Sequence, residues 1–410
     1  MLCLNRSSSW LPVTRETVSE MAAALHRSAL VIDTHADTPQ RMLDEACDLE
    51  APLDGGHLNL PSAREGNLGA EFFVAWPDPR RFPGQFARRS LELIDAVHEA
   101  TAAHPDQMMM AYCADDIERA HREQKLAASL AIEGGHAIED SLGLLRDYYR
   151  LGARYMTITW ANSNGWADSS GDVDDPTVQH TQDGLTEFGE RVILEMNLLG
   201  MMVDISHVAD TTFSRILEMT RAPVFASHSS ARALTHSPRN LTDDMLKTVA
   251  HSGGSGSQGG VVMVNFYSAF ISESWRQAWQ ALRPELEADR QAEEARWKAE
   301  GKPVPYAVTA AQDRQWAAKI PRPPLSELID HIDHIARVAG IDHVGLGSDF
   351  DGMPALPEGL DSAADLAKIT AALLERGHTA EDCRKILGGN FLRFFREVEE
   401  KAQQLRRDSR

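Results

Sequence analysis

Cysteine is scarce, with four residues in a chain of 410. Cys3, Cys47, Cys113 and Cys383 lie far apart and form no CxxC pair. That argues against a dense disulfide framework or a thiolate metal site and fits a reducing compartment. Positive charge is also short: 41 Lys and Arg stand against 61 Asp and Glu, a formal net charge of −20. With no basic surplus to displace counterions from phosphates, neither nucleic acid nor an anionic membrane is expected as a partner. No run approaches the ~18 apolar residues of a membrane helix. The opening MLCLNRSSSWLPVTRETVSEMAAALHRSA breaks any apolar stretch with polar and charged residues, so it lacks the core of a secretory signal. The expectation is a soluble, cytoplasmic protein.

What is present is a 43% hydrophobic content, enough at this length for a large core. Eight short apolar runs recur: 30–33, 70–76, 129–134, 155–160, 200–206, 223–228, 260–266 and 343–349. Longer segments with helical spacing separate them, as in RRSLELIDAVHEATAAH, where Leu91, Ile94 and Val97 recur every three residues. Eight strands alternating with helices predict an α/β fold of the (β/α)8 barrel type, a TIM barrel. The chain then divides into an N-terminal extension, 1–28, and one barrel domain interrupted by a helical insertion after the seventh run, 268–325. The insertion would emerge on the face where strands end, as a lid, an oligomer contact or a solvated charged helix. Its tryptophans, Trp275, Trp279, Trp297 and Trp316, point to a homodimer or larger homo-oligomer, since partly exposed Trp is typical of interfaces. The tract GGSGSQGG, 253–260, precedes a strand and lacks a following Lys, so it reads as a linker on the opposite face and not as a phosphate loop.

The ends of five runs carry metal-ligand residue types. The first closes on Asp33-Thr34-His35-Ala36-Asp37, the third on Glu133-Gly134-Gly135-His136, and the fifth on Asp204-Ile205-Ser206-His207. The sixth closes on Ser227-His228-Ser229-Ser230 and the eighth on Ser348-Asp349-Phe350-Asp351. In a parallel barrel all strand ends share one rim. Alternation in an extended strand sends His35 and Asp37 the same way, with Asp33 on the same parity. Imidazole and carboxylate donors suit Zn²⁺ or a similar divalent ion, and four to six of them would hold two ions with Glu133 as the natural bridge. Asp351 reads as a turn cap and Asp33 and His136 as supports.

The order of DTHADT, HLNLPSAREGNLGAEFF, AIEGGHAIED, DISHVAD, FASHSSARAL, GGVVMVNFY, GLGSDFDG and KILGGNFLR between about residues 30 and 395 resembles the membrane (renal) dipeptidase family of the amidohydrolase superfamily. The resemblance implies that His35 and Asp37 hold one zinc, His207 and His228 the other, and that Glu133 bridges them. It implies Asp349 as acid/base and Arg239, in HSPRN, as the group that grips the substrate's terminal carboxylate. An Arg suits that task through its planar fork of donors. Tyr267, closing VNFY, faces the same rim and is a candidate substrate contact. One departure stands out: where the family places a histidine that polarises the scissile carbonyl, this chain has Trp160. Asn162 or Asn164 nearby are alternative oxyanion donors.

The implied reaction is hydrolysis of dipeptides, tolerant of a D residue at the C-terminal position. Its nucleophile is a water whose pKa two bridged ions lower to about 7. Two rivals stay open: another binuclear metal amidohydrolase, such as a lactonase or N-acyl amino acid hydrolase, and a non-catalytic barrel that keeps metal for stability.

Overall fold

The computed structural model describes residues 15–409 apart from 182 and 303. Nine parallel strands form β1 (Val31–Ala36), β2 (Leu68–Ala75), β3 (Met108–Met110), β4 (Leu126–Glu133), β5 (Ala153–Thr157), β6 (Met202–Asp204), β7 (Phe225–Ala226), β8 (Val261–Val264) and β9 (Val344–Leu346). Their order is β2-β1-β9-β8-β7-β6-β5-β4, and a β2–β4 pairing closes the ring, so eight strands make a (β/α)8 barrel. Each predicted run contributes one barrel strand. The extra strand, β3, lies beside residues 126–128 of β4, while β5 takes the same side from Leu130 onward.

Strand composition follows from burial on two faces. Every residue of β1, β2 and β4 is buried, which is why these runs read as nearly continuous apolar sequence. The intervening helices bury one stripe each. In Leu325–Ala339 the buried Leu328, Ile329, Ile332 and Ile335 recur every three or four residues. Thr186 starts the helix Glu187–Leu199 by accepting from the Gly189 N–H.

The barrel interior is closed by the last helix, Asn390–Asp408, whose Phe391, Phe394 and Phe395 are fully buried. Phe391 meets Phe72 edge to face at 5.1 Å, and Phe394 lies 5.2 Å from Phe225. Phe72 in turn packs at 5.6 Å from Tyr155, so an aromatic column runs up to the strand ends. On the outside, His26 of the helix Arg15–Ser28 bridges the Thr370 hydroxyl and the Gly66 carbonyl, each at 2.8 Å.

Segment 268–325 folds as helices Ser268–Ile271, Glu273–Ala299 and Tyr306–Ala317. Two of its four tryptophans are internal. Trp275 and Trp316 are buried, Trp279 stacks on Trp275 at 5.3 Å, and Trp316 Nε1 donates to Asp289. Of the four, Trp279 and Trp297 remain partly exposed, so the aromatic surface on which association was expected is reduced to these two. Among the described residues no helix is long and apolar enough to cross a membrane.

Candidate metal centre

Two of the ligand-type residues leave the ladder where a strand ends: His207 follows β6 by three residues and His228 follows β7 by two. Asp37 occupies the N-cap position of the helix Thr38–Asp44 yet makes no side-chain capping bond. Its carboxylate is thus directed to the rim instead. His207 and Asp349 both have left-handed backbone, with φ of 69° and 64°, a region that L residues enter at a cost. The Asp349 turn is fixed by its own N–H donating to the His35 carbonyl at 3.0 Å.

These residues converge on one carboxylate oxygen. Glu133 Oε1 lies 3.0 Å from His207 Nε2, 3.4 Å from His228 Nε2 and 3.7 Å from His35 Nε2. His35 Nε2 is also 3.8 Å from Asp37 Oδ2, and the two Nε2 atoms of His207 and His228 are 3.1 Å apart. Donor atoms of His35, Glu133 and His228 lie within 4.8 Å of one another, and so do those of His35, Asp37 and Asp349. Asp349 therefore joins the donor set as well as standing beside it. Gly352 packs against the cluster: a Cβ there would sit 2.1 Å from Asp37 Oδ2 and 2.4 Å from Asp349 Oδ1, so any side chain would displace those carboxylates.

The hydrogen bonds behind the rings determine which nitrogen faces inward. Tyr155 spends its only proton on the Thr34 carbonyl at 2.8 Å, so at its 2.8 Å contact with His35 Nδ1 the imidazole must donate. With a single proton on the ring, as when a cation is bound, Nε2 of His35 carries the lone pair. The same logic applies at His228: Ser227 Oγ donates to Asp204 Oδ2 at 2.6 Å and so accepts from His228 Nδ1 at 2.7 Å. Asp204 is held by Thr157 Oγ1 and by the N–H groups of Ser206 and Ser227. Such tautomer-fixing partners raise ligand basicity. Ser227→Ala is accordingly expected to weaken divalent-metal affinity about 10- to 100-fold, measured by competition with a chromogenic chelator. Unchanged affinity in that variant would disprove the relay.

Burial and mutual repulsion strain the cluster electrostatically. Burial, reinforced by Glu133, pushes the Asp37 carboxyl well above its usual range. Burial raises Asp349 to about 6, with the His35 ring opposing and Glu133 adding. Burial would also raise Glu133, but the three imidazoles hold it well below the normal range. Burial depresses His207 to about 4 and His228 well below its ordinary value. At His35 burial acts downward, yet the carboxylates of Glu133, Asp37 and Asp349 together outweigh it and the ring rises to about 9. His35 Nε2 and Asp37 Oδ1 are buried with no hydrogen-bond partner, an arrangement that costs free energy unless a cation satisfies it. Inward lone pairs, orphaned donors and clustered carboxylates fit a divalent ion.

A cavity of about 740 Å³ opens over the cluster, lined by Asp37, Glu133, His207, His228, Arg239 and Asp349 among others. Arg239 is buried there. Its Nη1 donates to Ser229 Oγ at 2.9 Å and its Nη2 to the His228 carbonyl at 3.0 Å, leaving buried Nε without a partner. Burial lowers its pKa to about 10, which keeps it cationic at neutral pH. Trp160 and Tyr267 line the same cavity.

Several sequence expectations change on contact with the geometry. Asp33 does not share the orientation of His35: the register shifts between Asp33 and Ala36, and Asp33 pairs with buried Glu71 across the ladder. Asp33 Oδ1 accepts from the Ser348 N–H at 2.7 Å, so it braces β9. His136 hydrogen-bonds the Pro77 carbonyl at 2.9 Å instead of a ligand. Asn164 spends its amide inside its own loop, on Ile158 O and the N–H groups of Trp166 and Ala167, and Asn162 donates to Ser163 O. Neither asparagine lines the cavity. Asp351 is more than a turn cap: it accepts from Thr38 Oγ1 and the His57 N–H, both at 2.7 Å, and its carbonyl accepts from Tyr306 at 2.7 Å.

Sequence reasoning missed Asn265, whose Nδ2 donates to Asp349 Oδ2 at 3.0 Å, and Trp76, which packs against Trp160 with ring centroids 4.5 Å apart. Trp76 closes the second apolar run, so its place at a strand end was the available signal.

The model of the membrane dipeptidase family, peptidase family M19, matches residues 19–409. Among solved structures, the probable dipeptidase PvdM from Pseudomonas aeruginosa is 25% identical with a TM-score of 0.75, over 94% of this chain and 99% of that one. The dipeptidase AC, a metallo peptidase of the same family, is 25% identical with a TM-score of 0.71, over 90% and 99%. A metallo peptidase from Rhodobacter sphaeroides, liganded with a phosphinate mimic of the dipeptide L-Ala-D-Ala, is 25% identical with a TM-score of 0.70, over 90% and 99%. With a family match across nearly its whole length and the ligand-type residues gathered at one barrel mouth, the chain belongs to the membrane dipeptidase family and is a metallo-dipeptidase.

Proposed function

We propose that the protein is a zinc-dependent dipeptidase that cleaves the peptide bond of dipeptides and accepts a D residue at the C-terminal position. The observation that carries this reading is a single Glu133 oxygen ringed by three imidazole nitrogens at 3.0–3.7 Å, with a buried arginine in the same cavity. His35 and Asp37 would hold one ion, His207 and His228 a second, with Glu133 reaching both. Imidazole and carboxylate oxygen are donors suited to zinc. When bound, the ions supply Lewis-acid charge and render water acidic enough to act as nucleophile at neutral pH.

The protein's own groups do the rest. Asp349, steadied through Oδ2 by Asn265, takes the proton of the attacking water and returns it to the leaving amine. Arg239 engages the substrate's free carboxylate through its unpartnered edge. A carboxylate required at that depth restricts substrates to short peptides, because a longer chain has no charge there. Tyr267 and Trp160 contribute walls. Acceptance of a D residue is supported by the L-Ala-D-Ala mimic held by the Rhodobacter sphaeroides relative.

A library of dipeptides carrying L and D residues at both positions, assayed on zinc-loaded and chelated protein, tests the proposal. Metal-dependent turnover is expected, including members with a C-terminal D residue. Faster cleavage of lactones or N-acyl amino acids would overturn it in favour of another amidohydrolase chemistry, a reading that Trp160 in place of the expected histidine favours.

A further inference from the structure

Strand order fixes what faces what across the cavity mouth. Around the closed ring β1, β2, β4, β5, β6, β7, β8, β9, strand β2 stands diametrically opposite β7. Arg239 lies on the connection after β7, bonded to the His228 carbonyl. Trp76 follows β2 directly, and Trp160 follows β5 by three residues. The two indoles, one on each side of Glu133 in the ring order, touch at 4.5 Å with planes inclined by 48°. The Trp160 ring also lies 6.4 Å from the His207 ring, so the aromatic wall begins at the metal-ligand cluster itself. Both line the cavity, with Ala161 and Gly171 beside them.

We propose that Trp76 and Trp160 form the subsite for the side chain of the substrate's N-terminal residue and favour aromatic and large aliphatic groups there. This deepens the dipeptidase reading and rests on it. A substrate anchored by its carboxylate at Arg239, with its peptide bond over Glu133, has its N-terminal half directed across the ring towards β2. The surface it reaches is lined by the two indoles together with the small residues Ala161 and Gly171. Of the nearby charges, Arg81 is paired with Asp44 at 3.1 Å, and Arg80, which also lines the cavity, is exposed. Aromatic faces reward apolar and ring-bearing side chains and offer a carboxylate nothing. The departure at Trp160 thus supplies selectivity where the resemblance predicts a polar group.

The test uses zinc-loaded full-length enzyme and four substrates that share a C-terminal residue: Phe-Ala, Leu-Ala, Gly-Ala and Glu-Ala. Wild-type kcat/KM is expected to favour Phe-Ala and Leu-Ala over Gly-Ala and Glu-Ala by about 10-fold or more, as apolar pockets discriminate. In Trp160→Ala the Phe-Ala to Gly-Ala ratio should fall towards one, and Trp76→Ala should move it the same way. Trp160→Leu, which retains an apolar wall, should keep Leu-Ala above Gly-Ala and serves where the alanine variant misfolds. A wild-type preference for Gly-Ala or Glu-Ala, or a ratio unmoved in every folded variant, overturns the subsite. Absence of hydrolysis of all four by the metal-loaded wild type overturns the dipeptidase reading instead, so the two failures are distinguishable.

Discussion

Asp349→Asn is expected to lower dipeptide turnover about 10²- to 10⁴-fold, the range associated with a positioned proton-transfer group. The substitution preserves shape, and an amide oxygen can still accept the Asn265 N–H that reaches Asp349 at 3.0 Å. The left-handed backbone at 349 is tolerated by asparagine as well as by aspartate. The fold should therefore survive, as circular dichroism would register; His35, Asp37, Glu133, His207 and His228 are untouched, and because Asp349 also reaches the His35–Asp37 pair, elemental analysis must establish that the variant compared is metal-replete. What is lost is the capacity to take a proton from water and hand it to an amine. Turnover equal to wild type in a folded, metal-replete variant would remove Asp349 from the mechanism.

The second large effect concerns the buried guanidinium. Truncating one partner of a desolvated, hydrogen-bonded charge pair costs about 2–5 kcal/mol, so Arg239→Met should reduce kcat/KM for dipeptides by roughly 10²-fold or more. Part of that loss would come from disturbing His228, whose carbonyl accepts from Arg239 Nη2 at 3.0 Å. A paired measurement separates the two contributions. Wild-type enzyme should strongly prefer a dipeptide acid over its C-terminal amide, and the variant should lose that preference. A purely structural arginine leaves the acid-to-amide ratio where it was, and that result would dismiss the carboxylate role.

The barrel and its chemistry were legible in the sequence to different degrees, for physical reasons. Strands buried on both faces announce themselves as apolar runs, and all eight barrel strands were found. β3 escaped because Met108–Met110 is three residues long and has no alternation to detect. Predicted strand ends ran past the real ones from β5 to β9, to Ser206 at β6 and His228 at β7 for example, since the chain stays buried after it leaves the hydrogen-bonded ladder. The ligand-type residues could be read from position because barrel topology brings every strand end to one mouth. Contacts that depend on register could not: alternation placed Asp33 beside His35, and a shift in pairing after Asp33 undid it. Tyr155 and Ser227 were invisible as tautomer-fixing groups, since nothing local in a strand says which ring its hydroxyl will meet. The exposure of the insertion's tryptophans was illegible for a related reason. Composition records their presence but not that Trp275 and Trp316 face inward.

Asp351 gathers four stretches of chain that are distant in sequence: its own loop after β9, Thr38, His57 and, through Tyr306, the insertion. The insertion is thereby grafted onto the residue two places beyond Asp349. Exchanging this segment for that of a relative would transplant a new roof, but the recipient must also receive a hydroxyl for the Asp351 carbonyl. Without one, a swap meant to change only what enters the cavity would also loosen the turn that aims Asp349.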